Sequence, residues 1–248
     1  MDLLLRRNQA FSYDDGTDAL IDRSITRANI QGTKIGDYAF HGCNNLKNVN
    51  APNLTNIKQY AFYGCSKLKD FTSPIIAGNN GAFIITASSI PTHAFYNCSG
   101  ITSVFCTSSS IDTYPFYNTN VVTAVFTNNT GRMSYTLNSC SNLESADFQF
   151  VSGDLGTYCF RYNSKMTTVI LRKKSAIVRL WAGVSVFDNT PFASGKTGGT
   201  LYVPESLISA YETDSKWSTI LGYTNNSIAP IEGSQYEHYY ADGTPIPS

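Results

Sequence analysis

Three stretches decide the fold. The first is Ile35-Gly-Asp-Tyr-Ala-Phe40-His-Gly-Cys43-Asn-Asn-Leu46-Lys-Asn-Val49. It returns as Ile57-Lys-Gln-Tyr-Ala-Phe62-Tyr-Gly-Cys65-Ser-Lys-Leu68-Lys-Asp-Phe71, and again as Ile90-Pro-Thr-His-Ala-Phe95-Tyr-Asn-Cys98-Ser-Gly-Ile101-Thr-Ser-Val104. Weaker copies are anchored at Phe116, Leu137, Phe160 and Phe187, with successive anchors 22, 33, 21, 21, 23 and 27 residues apart. Five before the anchor stand Ile35, Ile57, Ile90, Ile111, Arg132 and Leu155; six after it stand Leu46, Leu68, Ile101, Val122, Leu143 and Met166. Nine after it stand Val49, Phe71, Val104, Val125, Ala146 and Val169. Such columns arise when each copy is a coil that cannot bury its own apolar edge, so that stacking joins the edges into one core.

Each coil carries a short strand: Leu46–Val49, Leu68–Phe71, Ile101–Cys106, Val121–Thr127, Leu143–Phe148 and Met166–Leu171. At about 4.8 Å per coil, seven coils make a rod roughly 30–35 Å long. The Ala-Phe stretches are too short for regular helix, so the fold class is a strand-rich α/β-type solenoid with short helical turns.

The unit resembles the BspA-type, or Treponema-type, leucine-rich repeat, over about residues 30 to 195. That resemblance implies a right-handed solenoid, a role in protein or surface recognition, and no catalytic residues. The leading segment Ala19-Leu-Ile-Asp-Arg-Ser-Ile25-Thr looks like that of repeat proteins in phages and prophages of gut Firmicutes. So does the closing segment Thr200-Leu-Tyr-Val-Pro204-Glu-Ser-Leu-Ile-Ser-Ala-Tyr211 with Trp217-Ser-Thr. Those relatives imply a virion-surface role.

The expected organisation is an N-terminal arm over 1–24, a solenoid over 25–199, a cap over 200–232 and a tail or terminal hairpin over 233–248. In the cap, Pro204 suits the first turn of a helix, and Leu207, Ile208 and Tyr211 share one helical face. The 33-residue gap holds Pro74-Ile-Ile-Ala-Gly78-Asn-Asn-Gly81-Ala-Phe-Ile-Ile85, a hairpin signature over 74–85. It is read either as a binding-face insertion or as extra strands of the sheet.

Ser (27), Thr (25) and Asn (21) supply 73 of the 248 residues, while 18 basic and 18 acidic residues cancel. A neutral surface rich in hydroxyls and amides argues against nucleic acid, which requires a basic face. No apolar run reaches the roughly 18 residues of a membrane span. Met1–Arg7 has three leucines followed by arginines, the reverse of a signal peptide. The expected location is therefore cytoplasmic synthesis with virion association, or the cell surface for a fragment of an exported protein. The open strand edges of a neutral solenoid allow self-association.

Cys43, Cys65, Cys98 and Cys140 all fall three after the anchor, so they form one inward column; Cys106 and Cys159 lie outside it. Coil spacing puts a Cys43–Cys65 bridge within geometric reach, but buried free thiols suit the column better, and no disulfide or metal site is expected. His41 and His93 occupy columns otherwise held by Tyr63, Tyr96, Tyr117 and by Tyr38, Tyr60, Tyr114, Tyr135, Tyr158, which makes them surface or half-buried packing residues and not a base or ligand. No nucleophile elbow, zinc motif or Walker loop occurs; Gly195-Lys-Thr-Gly-Gly199 reads as a turn, and Arg172, Lys173, Lys174 and Arg179 as a solvated loop. No cofactor is expected. The sequence places recognition on the outward strand positions ten after the anchor: Asn50, Thr72, Phe105, Phe126, Asp147 and Ile170. Strand alternation makes Phe105 and Phe126 stacked outer neighbours, rimmed by Ser103 and Thr123, and either exposed as a binding patch or covered by the 74–85 hairpin or a second sheet.

The leading functional expectation is a non-enzymatic module binding a protein or glycan on a cell surface, carried on a virion. The alternatives are a bacterial adhesin for host proteins and a glycan-acting enzyme on a repeat scaffold.

Overall fold

The structure, a computed structural model, describes residues 2–5, 23–72, 83–149, 153–223 and 225–235. One sheet carries the repeat, and every strand in it is parallel to its neighbours. Its strands run in chain order: β1 (Asp2–Leu5), β2 (Arg27–Ile30), β3 (Asn48–Asn50), β4 (Asp70–Thr72), β5 (Phe83–Ile85), β6 (Ser103–Cys106), β7 (Thr123–Phe126), β8 (Ser145–Phe148), β9 (Thr168–Leu171), β10 (Thr200–Val203) and β11 (Ser227–Pro230). Sequential order with parallel pairing is what a solenoid requires, because every coil returns to the same edge before adding its next strand.

Across from the sheet, the anchors Phe40, Phe62, Phe95, Phe116, Leu137, Phe160 and Phe187 are buried. Backbone hydrogen bonds run from coil to coil here too: Phe40 N to Ala61 O at 2.7 Å, Phe62 N to Ala94 O at 2.9 Å, Phe95 N to Pro115 O at 2.9 Å and Phe160 N to Val186 O at 3.0 Å. The anchor rings stack as well, Phe40 on Phe62 at 5.2 Å and Phe62 on Phe95 at 5.3 Å. The two walls enclose one continuous core.

Four expectations need correction. The start of the expected arm, Asp2–Leu5, is strand β1, paired with β2 in the register Asp2 to Arg27; residues 6–22 lie outside the described residues. The first arm of the expected 74–85 hairpin also lies outside them. Its second arm is β5, parallel to both β4 and β6, so it adds a rung to the sheet.

The other two corrections concern column register. Most coils place two residues between the Cys position and the next buried apolar residue, as in Cys98-Ser-Gly-Ile101. The Phe116 coil has one, Thr119-Asn120-Val121. Val121 and Ala124 therefore face the core where Val122 and Val125 were expected. A one-residue shift in a strand exchanges its two faces. Before Leu137 another residue is missing, so Met133 pairs with Leu155 and points inward while Arg132 stands outside.

At the C-terminus a short 3-10 turn (Glu205–Leu207) leads into α1 (Ile208–Thr213) and α2 (Ser215–Leu221). The Asp214 side chain accepts from the backbone N–H of Lys216 and Trp217 and so caps α2. Tyr211, Trp217 and Ile220 are buried against the last coil. Trp217 Nε1 donates to Val178 O at 2.7 Å, and Val178 N donates to the Tyr211 hydroxyl at 2.9 Å. These bonds satisfy backbone groups that a further coil would otherwise meet. Residues 236–248, most of the expected tail, lie outside the described residues.

Candidate functional site

The expected Phe105–Phe126 patch does not exist as an exposed pair. Phe105 pairs with Val125, and Phe126 with Cys106. Phe126 is 1% exposed and stacks inside the core on Phe148 at 5.3 Å. The missing residue before Val121 is the cause. Ser103 and Thr123 do stand side by side, half-buried, on the outer face. Behind them the outer row Ile84, Phe105, Val125, Asp147 and Ile170 is itself buried, with Phe105 at 7% and Asp147 at 0%.

Asp147 is the unusual member of that row. Arg172 grips it with both Nε and Nη, at 2.8–3.0 Å. Burial pushes the carboxyl up to about 6, and the Arg172 guanidinium opposes that rise. The expected basic loop is thereby divided: Arg172 answers Asp147, and Arg179 answers Asp154 at 2.7 Å. The two buried carboxylates face arginines, not one another, so they are not an acid–base pair of the kind glycoside hydrolysis uses.

The Cys column turns out to be a hydrogen-bond ladder. Cys65 Sγ donates to Phe40 O at 3.1 Å, Cys98 Sγ to Phe62 O at 3.0 Å and Cys140 Sγ to Phe116 O at 3.1 Å. Asn163 fills the same column and donates to Leu137 O at 2.9 Å. None of the six thiols is in a disulfide, and all are buried. Burial pushes Cys106 and Cys140 up to about 11 and raises Cys65 well above the ordinary thiol range, so these are structural thiols, not nucleophiles. Among the described residues no three His, Cys, Asp or Glu side chains converge as metal ligands.

The face that does present aromatic residues is built from the positions two before and one after each anchor. Tyr38, Tyr60, His93, Tyr114, Tyr135 and Tyr158 precede their anchors by two and all have φ between 50° and 58°. Left-handed backbone is costly for a side chain of this size. It is held here by hydrogen bonds to the next coil, Tyr38 N to Gln59 O at 3.1 Å, His93 N to Thr113 O at 3.2 Å and Tyr135 N to Thr157 O at 2.9 Å. The rings stack in file, with centroids 4.8 Å apart for Tyr38–Tyr60, 4.9 Å for Tyr60–His93, 5.2 Å for His93–Tyr114 and 4.3 Å for Tyr114–Tyr135. A second file, His41, Tyr63, Tyr96 and Tyr117, runs beside it, its own rings stacked 4.6–4.9 Å apart. Tyr38 is 40% exposed and the others are half-buried.

Stacking consumes the ring faces, so the two files form a comb whose edges and hydroxyls meet solvent. Burial and the neighbouring phenol Tyr117 raise the phenol pKa of Tyr96; burial and Tyr135 do the same for Tyr114. Both histidines are held below the ordinary imidazole range by burial, His41 also by Arg23. They are neutral members of the comb, as the column argument expected. His238 lies outside the described residues.

The model of the BspA type leucine rich repeat region matches residues 16–84 and 79–190 in six copies. The chain belongs to the BspA-type leucine-rich repeat family. No curated protein sequence matches it. Among solved structures, this BspA-type protein is similar to a leucine rich cell surface protein from Faecalibacterium prausnitzii A2-165, with 15% identity, a TM-score of 0.42, and coverage of 90% of this chain and 83% of the other. It is also similar to a leucine-rich repeat protein from Bacteroides ovatus ATCC 8483, with 12% identity, a TM-score of 0.37, and coverage of 86% and 73%. No helix among the described residues is long and apolar enough to cross a membrane.

Proposed function

We propose that this BspA-type repeat protein is a non-catalytic recognition module that binds a protein or glycan on a cell surface through the tyrosine comb. The observation that carries the reading is the run of six left-handed Tyr and His residues in successive coils. Glycine or asparagine would hold that backbone at less cost, so the repeat accepts strain to keep an aromatic ring at each step. The strain is spread over a rigid wall, which pre-organises the surface for binding. A row of phenolic hydroxyls at roughly 4.8 Å intervals suits a ligand that is itself extended and polar, such as a glycan chain or a strand of protein backbone.

The test is a binding screen of the chain against bacterial envelopes and against mammalian mucin and matrix. The double variant Tyr60→Asn/Tyr114→Asn serves as the comparison, since Asn tolerates the backbone. Binding to bacterial envelopes supports a virion-borne receptor role; binding to mammalian surfaces supports the adhesin. In either case the double variant loses the binding and keeps its fold. No binding to any surface, or equal binding by the double variant, overturns the reading.

A further inference from the structure

At the last two coils of the comb and the coil that follows them, the outer positions are Arg132, Asp154 and Arg179. Arg132 is in register with Asp154, and Leu155 bridges to Leu180, which places Asp154 beside Arg179. Asp154 is fully committed. It accepts from Arg179 Nε at 3.0 Å, Arg179 Nη2 at 2.7 Å, the Arg179 backbone N–H at 3.1 Å and Trp181 Nε1 at 3.1 Å. These bonds fix the indole of Trp181, which is 47% exposed.

Arg132 does not join them. Its guanidinium instead lies over the Trp181 ring, 3.5 Å from the centroid. To reach it the side chain crosses the intervening coil at Gly156, where a Cβ would stand 2.8 Å from Arg132 Cγ and 3.0 Å from Met133 O. The glycine is the gap that lets this arginine span two coils. Among the described residues no carboxylate answers Arg132. Lys216 adds a further positive charge nearby, its Nζ donating to Leu180 O at 2.6 Å.

We propose that Arg132 and Trp181 form a subsite for the carboxylate and ring of an acidic sugar, such as a uronic acid residue. A guanidinium held flat presents its N–H fork in a fixed plane, the arrangement that takes a carboxylate through two hydrogen bonds. The part of the indole left uncovered by Arg132 and by Arg179, which lies 5.4 Å from its centroid, supplies an apolar partner for the C–H surface of a sugar ring. The flanking Ser134 and Thr157 are half-buried and match ring hydroxyls. An inorganic anion would use the fork and leave the indole idle. Asp154 is a positioning residue. The inference rests on the recognition reading, because Ser134 precedes Tyr135 and Gly156 lies two residues before Tyr158; the subsite would read one acidic unit of the ligand that the comb binds.

The protein carries its own reporter. Trp217 is buried in the cap, so ligand-dependent changes in tryptophan emission come from Trp181. Titration with tri-galacturonate should give a saturable change that weakens with added salt. The neutral trigalactose should give none. Arg132→Gln, with its circular dichroism and melting temperature unchanged, should bind about tenfold or more weakly. No saturable change with tri-galacturonate, an equal change with trigalactose, or full affinity in Arg132→Gln overturns the subsite; so does an equal response to inorganic phosphate or to an acidic peptide. The Tyr60→Asn/Tyr114→Asn variant should keep the emission response while losing surface binding. Surface binding by the wild type without any sugar response therefore sinks only this subsite and leaves the recognition reading standing.

Discussion

The coils around Phe40, Phe62 and Phe95 and those around Phe116 and Leu137 are made of the same parts, yet their sequences are not equally transparent. In the first set every column can be counted from the anchor. In the second, one residue is missing after Thr119 and another before Leu137. The backbone absorbs both gaps in turns, and the strands stay in parallel register: Thr123 beside Ser103, Ser145 beside Thr123. Stacking is thus conserved by space, not by count. An exchange of faces follows at each gap, which buries Phe126 and Met133 and turns out Val125 and Arg132.

The largest effect that tests this contrast is Phe126→Ala. As a core ring it should cost about 3–5 kcal/mol in chemical denaturation, comparable to Phe62→Ala in a regular coil. A loss near zero would restore the exposed patch and dissolve the contrast.

Next comes Asp147, which stands on the outer row beside the irregular coil. Its folded pKa, about 6, exceeds the unfolded value of 3.8. The native state therefore holds a proton that the unfolded chain has released across that window. The contribution of this group is fully favourable below about pH 4 and is lost as pH rises through about 6, by up to about 3 kcal/mol. Asp147→Asn should flatten the stability profile between pH 4 and 7 relative to the wild type. A profile unchanged by the substitution would mean that Arg172 already holds the carboxyl ionised.

The Cys ladder gives a smaller contrast. Cys98→Ala removes the thiol from Phe62 O, which keeps the Cys65 N–H as its other donor, and should cost about 1 kcal/mol. Cys98→Thr should cost less, because a hydroxyl in that column still finds an acceptor, as Thr119 does by donating to the anchor carbonyl of its own coil, Phe116 O, at 3.0 Å. Equal losses would show that volume, not donation, governs the position.

Much of the fold was legible because stacked columns leave a direct periodic trace: the anchors, the inward cysteines and the half-buried histidines all follow from it. The extra rung β5 was not, since its turn signal resembles that of a hairpin and only pairing direction separates the two. The expected Phe105–Phe126 patch fails because alternation does not carry across the residue missing before Val121. Column counting alone gives the tyrosines no more than a surface or packing role. Their left-handed backbone, the sign that they form a separate surface, is a conformational fact that no residue type announces. The Arg132–Trp181 contact was hidden because it joins coils two apart, through a gap that exists only because residue 156 is glycine.

The most direct test of the comb is hydrogen–deuterium exchange on the chain bound to its surface target. The account predicts new protection in the turns 36–42, 58–64, 91–97 and 112–118, with the strand positions 103–105 and 123–125 unchanged. Protection confined to those strands, with the comb turns exchanging as in the free chain, would contradict it.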